Sequence, residues 1–357
     1  MGARRVNSPD PYLLITADDR TGVLEAGGAC AALGFEVRFG TTPRDGDDCA
    51  LLDIDSRHRA PGEAAARTVR AHRHAARFRC HKMDSGLRGN WPHEVAALLA
   101  TGRRIGVLAS FPDAGRRCVG GTVLIHGVPV AETAYGRDPR NSVTSSRPED
   151  YLIAAGCGPA LGCRDLVVFD AGDNAELTRA AARCREEDRL PVGSTGGIAA
   201  YAAGLRPPEA VEPRTLPRPS LVLCGSLHPV SRSQIAALAD PSFGPNDHDA
   251  IVNALKSGAD VVVATPPATG VIEAAAAEAM AARLAANAWT WLAAGGGKSL
   301  VILGGDTAAA VLGDRTLLVL GNLDTGVPLC VTEGDGTAVV TKGGGIGASD
   351  TLSKLLS

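Results

Sequence analysis

Short apolar runs that stop at glycine or aspartate and hand over to a stretch of helical length recur along this chain, and that rhythm constrains its fold more than any other feature. Residues 12–17 form one such run. Asp18-Asp19-Arg20-Thr21-Gly22 stops it, and residues 23–33 follow with helical spacing. Residues 36–40, 50–54, 78–81 and 104–109 read as further strands, with residues 63–77 helical among them. Residues 166–169 resume the pattern, and helices are expected over 174–185 and 196–205. Strand and helix in alternation imply an α/β fold with a mostly parallel sheet covered on both faces.

Two segments break the rhythm. Residues 121–135 place β-rich runs on either side of His126-Gly127, which reads as an inserted β-hairpin. Residues 206–219 are rich in proline and charge with little apolar material, which reads as a linker. Beyond them a second α/β unit follows, with strands over 220–224, 261–264, 300–303, 317–320 and 338–341 and helices over 231–238, 271–294 and 349–356. Two α/β domains are therefore expected, a substrate-binding one over 1–205 and a nucleotide-binding one over 220–357, with the active site in the cleft between them. The length of 357 residues suits two domains.

Composition narrows the class. A net charge of -3 argues against a nucleic-acid groove, and the arginine-rich run 70–79 reads as a solvated helix face. Nine cysteines without a CxxC pair read as reduced, buried thiols of a cytoplasmic protein. The start of the chain is polar, unlike a signal peptide, and Glu273, Glu278 and Arg283 within 271–294 exclude a membrane span there.

The chemistry-bearing residues gather in turns after strands, where open α/β sheets present ligand groups. In the first half these are Asp18 and Asp19, then Lys82-Met83-Asp84-Ser85-Gly86-Leu87-Arg88-Gly89-Asn90, then Phe111-Pro112 with Gly115-Arg116. Carboxylates suit a polyol and arginines suit an acid group, so the set fits a hydroxy-acid ligand. One of the two early aspartates is also expected to cap the helix that follows, and Asn90 to cap the next. In the second half three glycine turns follow strands: Gly225-Ser226, Gly304-Gly305-Asp306-Thr307, and Lys342 through Gly347. Glycine lets backbone N–H groups converge on phosphate oxygens, and a helix N-terminus adds its dipole. Gly295-Gly296-Gly297-Lys298-Ser299 is not a P-loop, because Leu292 stands where its first glycine belongs. No complete G-x-G-x-x-G is present, since Asp350 stands where the last loop would need its final glycine.

In this order the motifs resemble the four-carbon acid sugar kinase family, with Asp138-Pro139, Gln234 and Gly326-Val327-Pro328 completing the match. The resemblance spans nearly the whole chain. It implies ATP-dependent phosphorylation of a terminal hydroxyl on erythronate, threonate or 3-oxo-tetronate. It also implies substrate contacts at Asp18, Asp19, Lys82, Asp84, Arg88 and Arg116, with Asp19, Asp84 and Arg88 as the catalytic set. Ser226, Gly304, Gly305, Asp306, Thr307, Gly344 and Gly347 would line the nucleotide, with Mg2+ bridging its phosphates. A homodimer is compatible with this reading. The chain departs from the family in having Arg20 for an aromatic residue, Gly86 for threonine, and Lys-Gly-Gly-Gly-Ile-Gly for the usual Lys-Ser-Gly-Asn-Phe-Gly of the last loop. Arg20 and Gly86 are expected on the substrate side. Three alternatives stay open: a kinase-like protein that binds without turnover, a kinase for another polyol, and a nicotinamide-dependent oxidoreductase.

Overall fold

The computed structural model describes residues 10–138, 141–209, 211–212, 214–239, 241–266 and 274–357. The strands of the first half are β1 (Leu13–Ala17), β2 (Val37–Phe39), β3 (Cys49–Asp53), β4 (Phe78–Lys82), β5 (Ile105–Leu108), β6 (Arg116–Val119), β7 (Thr122–Ile125), β8 (Val128–Pro129), β9 (Leu166–Val168) and β10 (Leu190–Gly193). Those of the second half are β11 (Ser220–Cys224), β12 (Ser242–Phe243), β13 (Val261–Ala264), β14 (Ser299–Leu303), β15 (Leu317–Asp324), β16 (Val327–Thr332) and β17 (Ala338–Lys342).

Fourteen of these strands share one sheet, in the order β12-β13-β11-β14-β17-β16-β15-β2-β3-β1-β4-β10-β5-β9. Both ends of the sheet are parallel, as the alternation of strand and helix requires. The middle is antiparallel: β15 and β16 pair across the turn at Gly326 (φ 72°), and β15 runs against β2, with Leu317, Leu318 and Val319 opposite Phe39, Arg38 and Val37. The two halves of the chain thus share main-chain hydrogen bonds.

Register decides where the site can be. Ala17 lies beside Lys82, and Lys82 beside Gly193, so β1, β4 and β10 end level. Cys224 lies beside Leu303, and Leu303 beside Lys342, so β11, β14 and β17 also end level. The turns carrying Asp18-Asp19, residues 82–90, Phe111-Pro112, Gly225-Ser226, residues 304–307 and residues 342–347 each follow one of these carboxyl ends or that of β5.

The helix Arg20–Ala31 packs across the middle of the sheet, against β15, β16, β2 and β3, and is buried on nearly every side. Its glycines make this possible. A Cβ on Gly27 would meet Leu51 Cδ1 at 2.4 Å in the first half, and one on Gly28 would meet Asn322 Oδ1 at 2.1 Å in the second. Each glycine costs about 1 kcal/mol of helix stability relative to alanine, and the close approach of the sheet is the return. Leu13, Ile15, Val23, Leu24, Leu221, Leu300 and Ile302 then belong to one continuous apolar core.

Several expectations change in detail. The turn at His126-Gly127 is present with φ of 49° and 84°, as a tight hairpin turn requires. The insertion gains a third strand, β6, while Val130–Glu132 and Ala134–Arg137 wind into 3-10 turns. The second helix stops at Ala71, so the run 70–79 is no helix face, and His72 within it is buried. Asn90 occupies the N-cap position without capping; its Nδ2 donates to the carbonyls of Ser56 and Arg59 instead. All nine cysteines are free thiols, eight of them buried. No helix among the described residues is long and apolar enough to cross a membrane. Residues 1–9, Pro139, residues 210 and 213 of the linker, and residues 271–273 of the alanine-rich helix lie outside the described residues.

Candidate active site

Asp19 caps the helix Arg20–Ala31: its Oδ1 accepts from Gly22 N at 3.0 Å, and its Oδ2 from Thr21 Oγ1 at 2.7 Å. Asp18 faces the other way, to Arg57, which follows the neighbouring strand β3. Arg57 Nε and Nη2 donate to the two oxygens of Asp18 at 2.7 and 2.9 Å, and Nη2 also donates to Asp19 at 2.9 Å. Asp84, past the end of β4, takes Nε and Nη2 of Arg88 at 2.9 and 3.0 Å. Arg88 Nη1 donates to Asp138 at 3.0 Å, and its guanidinium lies 4.8 Å over the ring of Tyr135. The first half thus presents a layered set of acids and arginines, most of them already paired.

The pairing sorts the carboxylates by basicity. Burial raises Asp84, but Arg88 and Arg57 outweigh it and hold the carboxyl far below its ordinary range. Burial likewise raises Asp19, yet Arg57 and Lys82 leave it lowered. Asp18 moves the opposite way, to about 6, because burial prevails over Arg57. Lys82 is buried, with Nζ donating to Met83 O at 2.9 Å.

The second half supplies loops rather than charges. The last loop has its carbonyls tied back: Lys342 Nζ donates to Gly343 O and Ile346 O at 3.0 and 2.8 Å, Ser231 Oγ to Gly344 O at 2.9 Å, and Gln234 Nε2 to Ala348 O at 2.6 Å. A trans peptide whose C=O is held on one side turns its N–H to the other, as an amide cradle for an anion demands. Burial lowers Lys342 to about 8. Ser226 borders the same loop, 2.7 Å from where a Cβ on Gly344 would stand. Gly304 has φ 108° and opens the helix Gly305–Leu312, with Thr307 buried against Gly225. Gly347, at φ 88°, closes the loop.

Contacts between the halves bring these groups to one place. Arg116 Nη2 donates to Gly345 O at 2.9 Å. A Cβ on Gly305 would lie 2.8 Å from Asp19 Oδ2, and His58 Nε2 is 3.7 Å from Asp306 Oδ1. Tyr135 and His228 stand ring to ring at 5.6 Å across the same gap. Arg20 lies elsewhere than expected: it joins Asp53 at 2.9 Å to Gly313 O at 2.8 Å, bracing the first half against the second.

Arg57, His58, Tyr135, His228 and Glu25 belong to this neighbourhood and were not singled out from the sequence. Arg57 follows a strand adjacent to β1, but that adjacency is a matter of sheet order. Tyr135 and His228 are single aromatic residues in irregular segments. Glu25 looks like an ordinary helix residue until the helix is seen to be enclosed.

Among known sequences, a family described as a sugar-binding N-terminal domain matches residues 13–159, and one described as a nucleotide-binding C-terminal domain matches residues 221–352. A D-threonate kinase of Cupriavidus necator is 30% identical over 404 aligned positions, covering 95% of this chain and 96% of that protein. A D-erythronate kinase of Heliobacterium modesticaldum is 29% identical, covering 63% of this chain and 60% of that protein. A solved structure from Salmonella typhimurium shares the fold, with a TM-score of 0.74 at 18% identity, covering 96% of this chain and 98% of that one.

Proposed function

This chain belongs to the four-carbon acid sugar kinase family, and from that premise we propose that it transfers the γ-phosphoryl group of ATP to a terminal hydroxyl of a four-carbon sugar acid such as erythronate, threonate or 3-oxo-tetronate. The protein is a small-molecule kinase that acts on a sugar acid. The observation that supports the finer reading is the hydrogen bond from Arg116 to Gly345 O, which sets the acid-and-arginine cluster of one half directly against the last glycine loop of the other.

In this reading the nucleotide phosphates rest on the amides of Gly305, Asp306 and Thr307 and on those of Gly343, Gly344, Gly345 and Gly347, with Ser226 and Gly304 beside them; the amides of Gly304 and Ile346 are spent on Lys342 O and Gly343 O. Lys82, Arg116 and the unspent N–H groups of Arg88 receive the acid carboxylate, while Asp19 and Asp84 border its hydroxyls and Asp18, fully buried on Arg57, supports the substrate site from behind. Among the described residues no three His, Cys, Asp or Glu side chains are grouped as a metal site. Mg2+ therefore fits as part of the nucleotide substrate, carried on its phosphates and neutralising them. Phosphoryl transfer asks little covalent chemistry of a protein, so positioning and charge neutralisation carry the rate. We take residues 1–205 as the acid-binding domain and 220–357 as the nucleotide domain, joined through β2 and β15, with the transfer sheltered from water in the cleft they share.

The test is a screen for ADP release with Mg-ATP over four- to six-carbon sugar acids. The reading expects turnover with at least one four-carbon acid. Acid binding in a calorimeter without ADP formation would favour a binding protein, which the altered last loop keeps in view.

A further inference from the structure

Of the carboxylates that converge on the cleft, three already have partners within the protein. Asp84 is held at both oxygens by Arg88, Asp19 caps a helix and meets Arg57, and Asp18 is gripped by Arg57. Glu25 is different. It sits two turns into the helix Arg20–Ala31 and is 7% exposed, yet among the described residues no arginine or lysine stands at ion-pair distance from it.

Its surroundings come from every element that ends at the cleft. Lys82 at the end of β4, Arg116 on β6 and Asp19 on its own helix act on it electrostatically, and Glu25 in turn acts on Lys342 at the end of β17. All three cations spend N–H groups on main-chain carbonyls: Lys82 on Met83, Arg116 on Gly345, and Lys342 on Gly343 and Ile346. They stabilise a charge at Glu25 without occupying its oxygens. Gly326, at φ 72°, lets the turn between β15 and β16 close on Glu25; a Cβ there would lie 3.2 Å from Glu25 Oε1 and 2.9 Å from Ile346 Cγ2. Thr195, at the start of the helix Thr195–Ala203, draws on Glu25 weakly, but its hydroxyl is 1% exposed and completes no hydrogen bond. With the Thr195 hydroxyl turned towards it and no cation at ion-pair distance, the Glu25 carboxylate keeps acceptor capacity for a polar ligand.

We propose that Glu25 is the catalytic base, taking the proton from the substrate hydroxyl as the phosphoryl group arrives, an inference that rests on the kinase reading above. The hydroxyl oxygen bonds to the γ-phosphorus. The bond from that phosphorus to the β–γ bridging oxygen breaks, and its electron pair leaves on ADP. The hydroxyl proton passes to a Glu25 oxygen and then to solvent. Burial makes Glu25 a stronger base than its ordinary range, with Lys82 pulling the other way.

Glu25→Gln and Glu25→Asp are compared with wild type in Mg-ATP and the acid active in the screen, with acid and ATP binding measured by calorimetry. The Gln variant is expected to lose roughly 10²–10⁴-fold in kcat, the usual contribution of a positioned base. Its binding of both ligands should stay within about threefold, and the Asp variant should keep partial activity. In wild type kcat rises with pH as Glu25 ionises, and the Gln variant loses that acid limb. A limb that persists in Glu25→Gln would assign it to Asp18 and overturn the proposal. So would a kcat within about threefold of wild type, or loss of acid binding in step with activity. A wild type silent with every acid removes the kinase reading and this inference together; an active wild type with an unaffected Gln variant removes this inference alone.

Discussion

Tyr135 fills the volume that any side chain at position 86 would need: a Cβ built on Gly86 falls 2.3 Å from ring carbon Cδ1. The hydroxyl end of the same ring stands 2.4 Å from where a Cβ on Gly345 would be. Neither glycine has a positive φ, so the neighbouring ring, and not the backbone, excludes larger residues at both positions. The resemblance to the family places threonine and asparagine at these positions; here both are glycine, packed against one tyrosine that spans the two halves.

Gly86→Thr should therefore displace Tyr135 and cost about 1–3 kcal/mol, the ordinary range for overpacking. The double variant with Tyr135→Ala should be less damaged than the two single effects combined, since the residues share one volume. Urea denaturation of the four proteins reads this coupling, and strictly additive losses would contradict it.

Arg57 is the cation that lets Asp18 and Asp19 lie side by side at the end of β1. Its side chain is only 10% exposed, and that of Asp18 is fully buried. Removing one partner of a buried ion pair costs about 3–5 kcal/mol, because the other charge is left uncompensated. Arg57→Ala should show a loss of that order in denaturant. A loss under about 1 kcal/mol, the scale of an exposed pair, would mean the cluster is solvated.

A second buried network sets the acid sensitivity of the fold. Thr16 Oγ1 bridges His72 Nε2 at 2.9 Å and His81 Nδ1 at 2.8 Å, and His81 Nε2 reaches Glu94 at 2.9 Å. Burial, with His81 next, pushes His72 well below its ordinary value, so it stays neutral in the fold while the unfolded chain takes up a proton. Its contribution is therefore present above the unfolded pKa of about 6.5 and is lost as pH falls below it. Asp18, raised to about 6, works in the opposite sense, favouring the fold as pH falls below that value. The difference between wild type and His72→Gln isolates the histidine: wild type should lose Tm relative to the variant between pH 7.5 and 5. Parallel Tm profiles would contradict the assignment.

Arg88 and Arg116 should separate in kinetics. Arg88→Ala is expected to raise KM for the acid strongly, with a modest effect on ATP, because its partners Asp84 and Asp138 lie in the first half. Arg116→Ala should raise KM for both, because it also ties down the last glycine loop through Gly345 O. Equal effects of the two substitutions on both substrates would show that they do not play these parts.

Much of this was open to sequence reading because local chemistry dictates it. Apolar runs punctuated by glycine and aspartate reveal strands such as β1 and β14, and the turns after them carry the polar groups. What stayed hidden depends on order across the sheet. Nothing local to residues 37–39 or 317–319 says that β2 and β15 pair, so the antiparallel centre could not be foreseen. The same holds for Arg57, delivered to Asp18 by the adjacency of β1 and β3. Asp84 and Arg88 were expected to face substrate, and the structure shows them first facing each other. That pairing lowers the basicity of Asp84 and directs attention to Glu25.

The account is tested most directly by incubating the wild-type protein with Mg-ATP and four-carbon sugar acids and quantifying the products by phosphorus NMR. It predicts ADP and a terminal phosphomonoester of one acid in equal amounts. ATP left intact with every acid, or ADP accompanied only by inorganic phosphate, from a protein shown to be folded, would contradict it.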